Sequence, residues 1–330
     1  MSGARAELLE DRGEAAVSED FFRCRPFLDA EGATHTLRIS GESVEEIAGE
    51  GADLLAPLIV REIGDGPERD AISPYGYPGL VPSPERGRGS SRIAGQSSTT
   101  LDPAAVDWSA TGLVSVFLRH TLAPPPLAGA TERIVVQIAD PALAPKSRPS
   151  DRRQARRNLE AGYVLDLVPG TETTPEQRAG FLDLYGQTMR RTHAADHYFF
   201  GGAYFDRVLE AERTWLALAH APGGELAAAS LATVSDGFLH YYLSGSADSH
   251  LSDSPMKNVV LRLIDHAADL ALPLNLGGGL RPGDPLEEFK RGFANRQDPW
   301  HTSEIVCDPE KYQLLSEGKS AGPFFPAYRA

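Results

Sequence analysis

Apolar and polar residues form regular blocks through the second half of the chain, and these blocks predict its elements. A strand is predicted over residues 162–168. The sequence Thr174-Pro-Glu-Gln177 then forms a capping box with proline at the first helical position, which predicts the start of a helix. The apolar face of this helix consists of Phe181, Leu184, Tyr185 and Met189.

Three short strands and a second helix come next. Strands are predicted over residues 215–221, 226–234 and 238–244, and turn sequences separate them, so we expect an antiparallel meander. Ser254, with Pro255 after it, is expected to cap the helix. Its buried face is predicted to hold Met256, Val259, Val260, Leu263, Ile264, Ala267 and Leu270.

The remaining pattern completes a recognisable order of elements. A strand over residues 273–276 ends in three glycines, a helix begins at Asp284-Pro285, and a last strand covers residues 301–306. The order β-α-β-β-β-α-β-α-β lacks the regular alternation of a doubly wound nucleotide-binding fold. It is the order of the GNAT fold of N-acyltransferases, which we therefore predict for this half.

The first half is patterned less clearly. Residues 1–20 are predicted to form a flexible arm with a short helix, and residues 36–63 combine short apolar runs with an acidic helix-like stretch. Residues 82–100 are typical of a surface loop, residues 110–122 of a helix that ends at three prolines, and residues 134–138 of a strand.

A proline-rich linker over residues 141–149 is predicted to divide the chain. A length of 330 residues favours two domains, which we place at residues 1–149 and 150–330. The last stretch of about 20 residues could pack back on the first domain. The predicted fold class is α/β (α+β), with mixed central sheets.

Composition narrows the classes of function. The formal net charge of −14 argues against a protein that coats nucleic acid, although it permits a local basic site. No apolar run approaches the ~18 residues of a membrane span, and the first residues lack a signal pattern. Cys24 and Cys307 have neither metal-site nor disulfide spacing. We expect a cytoplasmic protein without membrane insertion.

Five segments with distinctive sequences follow one another between residues 73 and 293. They are Ser73-Pro-Tyr-Gly-Tyr-Pro-Gly79, the basic stretch 150–159, Leu184-Tyr-Gly-Gln-Thr-Met-Arg190 with Tyr198-Phe-Phe200 and Tyr204-Phe205 downstream, Tyr241-Tyr-Leu-Ser-Gly-Ser246, and Leu276-Gly-Gly-Gly279 followed by Phe289-Lys290 and Phe293. Together and in this order they resemble the Fem family of aminoacyl-tRNA-dependent transferases. The resemblance implies two tandem GNAT-like domains, of which the first is degenerate and the second is the acyltransferase domain. It is weakest in the first seventy residues.

The resemblance implies that Lys290, beside Phe289, faces the acyl-transfer site. Amide formation from an ester develops an oxyanion, and removing a preorganised donor to it costs ~3–4 kcal/mol. Lys290 could be that donor, as a compact charge with rotatable N–H groups. The alternative is an exposed lysine beside Glu287 and Glu288. Phe289 could equally be a core or pocket-wall residue.

Two groups of residues are candidates for binding substrate. Glycines after a strand let backbone approach a ligand closely, although they also suit a tight turn. The aromatic loop 73–79 can line a substrate groove or can be an ordered turn between strands. Tyr242 and Ser244 could hydrogen-bond substrate where the central meander splays, although core packing is favoured for them and for Tyr204. Near the glycines the candidates are Gly277, Gly278, Gly279, Arg281 and Asp284, with Asp284 also suited to cap a helix, and elsewhere they are Tyr75, Tyr77, Tyr204, Tyr242 and Ser244.

Arginines at helical spacing after the linker could bind phosphate. Arg152, Arg153, Arg156 and Arg157 are three or four residues apart across one helix, which suits a tRNA acceptor stem or a pyrophosphate. The alternative is a solvated helix face.

The favoured function is transfer of an aminoacyl group from aminoacyl-tRNA to an amine, without a bound cofactor. The rival donor is acetyl-CoA or another acyl-CoA, which would need a glycine-containing loop before the helix at Met256. The chain has His250-Leu-Ser-Asp-Ser-Pro-Met256 there, which is acidic and has no glycine. A third possibility is a non-catalytic binding protein on a degenerate transferase fold.

The acceptor is expected to be a soluble small molecule or peptide, as in antibiotic pathways. Family members that act on peptidoglycan often carry a long helical hairpin that embraces tRNA, and the predicted elements leave no room for one. We therefore expect the tRNA to be held at its acceptor end. His193, Asp196 and His197 have spacing that could suggest a metal, but no third ligand follows, so no metal site is predicted.

Overall fold

The computed structural model describes residues 3–83, 99–319, 322 and 324–330. The strands are β1 (Ala4–Leu9), β2 (His35–Ser40), β3 (Leu54–Glu62), β4 (Arg69–Ile72), β5 (Val81–Pro82), β6 (Val106–Asp107), β7 (Ser115–Arg119), β8 (Thr131–Ala139), β9 (Val164–Pro169), β10 (Thr214–His220), β11 (Leu226–Ser235), β12 (Phe238–Ser246), β13 (Leu274–Gly277) and β14 (Arg296–Val306). The helices are α1 (Arg25–Glu31), α2 (Glu42–Ala48), α3 (Pro149–Glu160), α4 (Pro175–Arg191), α5 (Gly202–Val208), α6 (Met256–Asp269), α7 (Pro285–Arg291) and α8 (Pro309–Ser316). Most of the predicted loop over residues 82–100 lies outside the described residues.

The chain forms two compact units. Unit 1 contains residues 1–18, 22–133 and 300–330, and unit 2 contains residues 19–21 and 134–299. These ranges differ from the predicted division into 1–149 and 150–330. The reason is strand pairing, because Ile138 of β8 pairs with Asn275 of β13, whereas Thr302 of β14 pairs with Arg119 of β7.

Unit 1 is built on a mixed sheet in the order β6-β1-β2-β3-β4-β7, followed by the end of β14. The pairs β1/β6 and β4/β7 are parallel, and the others in this order are antiparallel. Its core includes Leu37, Ile39, Leu54, Val116 and Leu118, all of them fully buried.

Two predictions for the first half were wrong. The predicted arm over residues 1–20 contains β1, which pairs with β2 through Ala6 and Ile39. The predicted helix over residues 110–122 is strand β7, in which Val116 and Leu118 are buried while Phe117 between them is not. A period of two, rather than helical spacing, therefore describes this run of apolar residues.

Unit 2 is built on the sheet β8-β13-β12-β11-β10-β9, in which β12/β13 is the parallel pair and the other pairs are antiparallel. Its core lies between this sheet and α6, which contributes Val259, Val260, Leu263 and Ala267. The predicted order of elements along the second half is confirmed, with α5 added after α4, but residues 302–306 of the last predicted strand pair with β7 in unit 1. Pro255, rather than Ser254, occupies the cap position of α6.

Both units thus contain mixed sheets, which confirms the predicted α+β class. Among the helices of the described ranges, none has the length and apolar character to cross a membrane.

Candidate active site

Lys290 lies in the last turn of α7, and its side chain is 8% exposed. Its Nζ donates a hydrogen bond of 2.6 Å to the carbonyl oxygen of Gly278. The alternative of an exposed surface lysine is therefore wrong. The glycine run and the lysine, which are twelve residues apart in sequence, meet in one place.

Burial changes the proton affinity of this lysine. Desolvation lowers the pKa of Lys290 from 10.5 to about 8, and the carboxylate of Asp284 opposes that change. An ammonium can donate three hydrogen bonds, and the Gly278 carbonyl accepts one of them. No other residue in the described ranges accepts a hydrogen bond from Lys290, so a polar group of a substrate could do so.

Close packing explains two of the glycines. Gly277 has a φ of 75°, which side chains rarely tolerate. A Cβ on Gly278 would lie 2.9 Å from the carbonyl oxygen of Val135 in β8. The backbone of the run is therefore pressed against the sheet, and this arrangement directs the Gly278 carbonyl to the lysine.

Asp284 holds the turn between the glycines and α7. Its carboxylate accepts hydrogen bonds from the backbone N–H groups of Leu280 (2.6 Å), Arg281 (3.0 Å) and Glu287 (2.8 Å). Desolvation works to raise the pKa of this carboxyl, but the backbone hydrogen bonds lower it. The predicted N-cap is thus present, while a role for Asp284 in binding substrate stays a prediction.

The other two predicted residues of this segment differ in exposure. Arg281 is exposed, and its backbone N–H is the group held by Asp284. Phe289 is partly buried against the core and meets Phe293 edge-on, with ring centroids 5.4 Å apart. Phe289 therefore packs α7, the helix that carries Lys290, against the core of unit 2.

A second group of predicted residues lies where β12 leaves β13. The two strands pair at Leu239↔Leu274 and His240↔Asn275, and β12 then continues to Ser246 along β11. The register of β12 against β11 shifts beside Leu231, whose partner is Leu243, while Ala232 pairs with Tyr241. Tyr242 is therefore the extra residue of a β-bulge.

The bulge brings two predicted tyrosines together. The hydroxyl oxygens of Tyr204 and Tyr242 are 2.8 Å apart, and Tyr204 stacks on Phe200 with centroids 4.1 Å apart. Ser244 accepts a hydrogen bond of 2.6 Å from the hydroxyl of Tyr241. Tyr204 is buried, whereas Phe200, Tyr242 and Ser244 are partly buried. A role of Tyr204, Tyr242 and Ser244 in binding substrate stays a prediction.

Tyr75 and Tyr77 lie in unit 1, whereas the other predicted residues lie in unit 2. The backbone N–H of Tyr75 donates to Glu31, at 2.7 Å. The ring of Tyr77 packs edge-on against Phe22 and Trp300, with centroids 5.4 and 5.7 Å away. Within unit 1 these contacts order the loop, which agrees with the alternative of an ordered turn between strands.

The four arginines of the basic helix α3 are exposed. Arg152 donates to the carbonyl of Ser147 and Arg157 to the side chain of Gln154. Arg153 and Arg156 make no hydrogen bond or ion pair with any residue of the described ranges. A shallow cavity of about 300 Å³ is lined by Ser150, Arg153, Arg156 and Arg157. An anion could be held there by several guanidinium groups at once.

The loop before α6 is occupied by the protein's own hydrogen bonds. It contains a 3-10 helix, Asp248–Asp253, and the carbonyl of Asp253 accepts from Asn158 (2.9 Å) and Gln154 (3.2 Å) of α3. The Asp253 carboxylate accepts from the hydroxyl of Tyr163 at 2.7 Å. This loop carries the carboxylates of Asp248 and Asp253 and contains no glycine, which makes it a poor site for a pyrophosphate.

The histidines after α4 do not form a metal site with their neighbours. His193 follows the helix, and His197 belongs to a separate 3-10 turn in which its ring packs on Tyr198. No group of three or more potential ligands lies close enough to hold a metal ion within the described ranges.

Sequence reasoning missed Asn275 and His240. Asn275 is 1% exposed and donates from Nδ2 to the Nδ1 of His240, at 3.1 Å, while its Oδ1 accepts from the N–H of Gly277, at 2.8 Å. The sequence signal for Asn275 was a polar residue between Leu274 and Leu276 in an otherwise apolar strand. A buried amide is costly to desolvate, so it is expected to have hydrogen-bond partners in the interior.

A larger cavity lies elsewhere in the described residues. It measures about 850 Å³, lies in unit 1 and is lined by residues that include Trp108, Cys307 and Glu310. None of the predicted site residues lines it. The candidate site is therefore identified by the chemistry of Lys290 and the glycine run rather than by cavity size.

Residues 146–291 match the family model described as an acetyltransferase (GNAT) domain. This range extends from the approach to α3 to the end of α7, and it includes Lys290. The protein is therefore an acyltransferase, and residues 146–291 form a domain of the GNAT type. No curated protein matches the sequence.

Solved structures extend the similarity of the fold to most of the chain. A crystal structure of FemX matches with a TM-score of 0.54 and 10% identity, over 84% of this chain and 89% of that one. The C-terminal domain of a putative lysylphosphatidylglycerol synthetase from Agrobacterium fabrum matches with a TM-score of 0.52 and 13% identity, over 92% of both chains. L-PGS from Bacillus licheniformis matches with a TM-score of 0.50 and 12% identity, over 88% of this chain and 93% of that one. The chain has a Fem-like tandem GNAT fold.

Proposed function

We propose that this acyltransferase moves an aminoacyl group from aminoacyl-tRNA to the amine of a small molecule or peptide. The observation that carries the proposal is the loop before α6. Its carboxylates would repel the pyrophosphate of coenzyme A, and the hydrogen bonds of Asp253 to α3 support this interpretation of the loop. Phosphate-binding capacity lies instead on the exposed arginines of α3, where Arg153 and Arg156 are available to a nucleic-acid backbone.

The chemistry needs little more than positioning and charge. The acceptor nitrogen attacks the ester carbonyl carbon, a C–N bond forms, and the bond to the ribose oxygen of the tRNA breaks. The amine loses a proton and the departing ribose oxygen gains one. The Lys290 ammonium, fixed by the Gly278 carbonyl, has donors that could stabilise the oxyanion of the tetrahedral intermediate.

The solved structures support aminoacyl-tRNA as the donor only because they share the fold of this chain. By its name, the Agrobacterium fabrum neighbour is a putative enzyme that makes an aminoacylated lipid, and its domain matches this chain along most of its length. The rival donor, an acyl-CoA, is favoured by the description of the matching family model as an acetyltransferase domain. The acidic loop with Asp248 and Asp253 argues against that donor.

One experiment separates the two donors. The protein is incubated with a charged tRNA pool and a set of amines, with and without ribonuclease treatment, and in parallel with acetyl-CoA and the same amines. We expect amide products from charged tRNA that disappear after ribonuclease treatment. Products that form from acetyl-CoA and persist after ribonuclease treatment would overturn the proposal and establish the rival.

A further inference from the structure

A chain of buried hydrogen bonds leads from β12 to the glycine run, and the reaction described above does not use it. The Nε2 of His240 lies 3.2 Å from the carbonyl oxygen of Ser235, and its Nδ1 lies 3.1 Å from the Nδ2 of Asn275. The Oδ1 of Asn275 lies 2.8 Å from the backbone N of Gly277. His240, Ser235 and Asn275 are each no more than 2% exposed.

The groups at the two ends of this series of hydrogen bonds determine which atoms donate and which accept. The Gly277 N–H can only donate, so the oxygen of the Asn275 amide faces it and the NH2 faces His240. The Nδ1 of His240 must then accept, and the proton lies on Nε2, which donates to Ser235. Both ends require the same tautomer, because a backbone carbonyl can only accept.

We propose that Asn275 is a positioning residue for Lys290: it holds the N–H of Gly277 at the start of the glycine run, and this orients the backbone that carries the Gly278 carbonyl against the lysine ammonium. The inference rests on the proposed role of Lys290 in acyl transfer. Asn275 acts through the backbone, and no contact of its own with the reacting groups is required.

The geometry of β13 makes such a contact necessary. The register of β13 against β8 shifts between Asn275 and Gly277, so the ladder is irregular where the glycines begin. At this irregularity the side chain of Asn275, two residues earlier, accepts a hydrogen bond from the Gly277 N–H. Leucine at position 275 would remove that acceptor and would also remove the donor to the Nδ1 of His240.

The contacts at position 275 require both an acceptor for Gly277 and a donor for His240, and the amide of asparagine supplies both. Aspartate could accept from Gly277 but could not donate to His240, and it would add a negative charge near the lysine. Alanine could do neither. Burial lowers the pKa of His240 to about 4, although Asp20 opposes this, so the imidazole stays neutral where enzymes are assayed. Asp284 is the charged group that acts on Lys290 from the start of α7.

The proposal is tested on Lys290 itself, so that the test does not depend on activity. The full chain is produced with [ε-13C]lysine, and the NMR resonances of Lys146, Lys257, Lys290, Lys311 and Lys319 are followed against pH. The Lys290→Met variant identifies the resonance of Lys290 by its loss. Thr214→Val is the matched control, because this buried hydroxyl pairs with Thr233, 3.1 Å away in the neighbouring strand, and does not contact the glycine run.

Opposite shifts are expected for the two variants of Asn275. In Asn275→Ala the carbonyl of Gly278 is released, the ammonium loses a fixed acceptor, and the Lys290 titration moves to lower pH by about half a pH unit or more. In Asn275→Asp the added carboxylate moves it to higher pH. Thr214→Val leaves it in place. If Asn275→Ala does not fold, Asn275→Leu, which also removes the acceptor for Gly277, takes its place with the same expected direction.

An unchanged Lys290 titration in Asn275→Ala would overturn the inference, as would a downward movement in Asn275→Asp. Transfer from aminoacyl-tRNA is measured separately in the same preparations. In Asn275→Ala, kcat is expected to fall about 10-fold or more, with KM for the tRNA within about 2-fold. If the wild type transfers nothing from tRNA while the titration shifts occur, the proposed function fails and the positioning of Lys290 stands.

Discussion

The Nζ of Lys290 and the carbonyl oxygen of Gly278 lie 2.6 Å apart, inside a site that leaves the lysine 8% exposed. This contact joins a short helix to the glycine run that precedes it. A lysine in this position is costly for the fold, because an ammonium loses its hydration when buried. Residues that reduce stability in this way are commonly placed where function needs them.

Replacing Lys290 by alanine should reduce turnover by ~10²–10³ if the ammonium stabilises an oxyanion. The pH dependence follows from burial, which lowers the pKa of Lys290 to about 8. Turnover by the wild type should therefore fall as pH rises through about 8, when the ammonium is lost. Lys257→Ala is the control, because Lys257 pairs with Asp151 at 3.0 Å and does not contact the glycines. A wild-type rate in Lys290→Ala would exclude this role.

The same lysine should limit stability. Lowering its pKa from 10.5 to about 8 corresponds to about 3 kcal/mol of unfavourable free energy while the lysine is charged in both states. Lys290→Met removes this cost but leaves the Gly278 carbonyl without its donor, which costs ~1–3 kcal/mol. We therefore expect Lys290→Met to raise the free energy of unfolding at pH 7 by about 1–2 kcal/mol.

The pH dependence of that difference is a further check. Between pH 8 and 10.5 the folded wild type releases the proton while the unfolded chain retains it, so wild-type stability rises relative to the variant. The advantage of Lys290→Met should be complete below pH 8 and should shrink as pH approaches 10.5. Urea unfolding at several pH values measures it. A variant that is less stable than wild type at pH 7 would contradict the expected sign.

In unit 1, the carboxylate of Asp70 should be a strong determinant of stability. It is 1% exposed and lies between Arg61, at 2.9 Å, and Arg329, at 2.5 Å, while the hydroxyl of Tyr328 donates to it at 3.2 Å. Asp70→Asn leaves two partly buried guanidinium groups without their counter-charge. We expect a loss of about 3 kcal/mol in the free energy of unfolding.

The control for Asp70→Asn is an ion pair at the surface. Arg12 is 76% exposed where it meets Asp29, so Arg12→Ala should change stability by less than about 1 kcal/mol. Urea unfolding of both variants gives the comparison. Equal effects of the two substitutions would show that the buried carboxylate has no special part in unit 1.

How far the fold could be predicted depended on which local signals were present. In unit 2 the capping box at Thr174 and the turns between strands fixed the elements, and the box forms as predicted. In unit 1 the run around Val116 was too short for its period to be distinguished from that of a helix. Its strand state depends on pairing with β4 and β14, and no local pattern encodes such distant partners.

The candidate site was predictable to a similar degree. The order of elements and the glycine run indicated Lys290, but its burial depends on how α7 lies against those glycines. The Asn275–His240 contact joins residues thirty-five positions apart, and a sequence gives no direct sign of it beyond a polar residue in an apolar strand. Such contacts follow from the parallel pairing of β12 and β13, which places His240 opposite Asn275.

The arginines of α3 provide a test of the partner that is independent of Lys290. If Arg153 and Arg156 contact tRNA phosphates, each contributes a slope of ~0.7–0.9 to the dependence of log affinity on log salt. The double variant Arg153→Ala/Arg156→Ala should weaken tRNA binding and reduce that slope by ~1.4–1.8. Titration of uncharged tRNA at several salt concentrations measures both. The control is Arg207→Ala/Lys319→Ala, which also removes two exposed positive charges but outside α3. Equal slopes in the two double variants would mean that only net charge matters, and α3 would then be a solvated helix face.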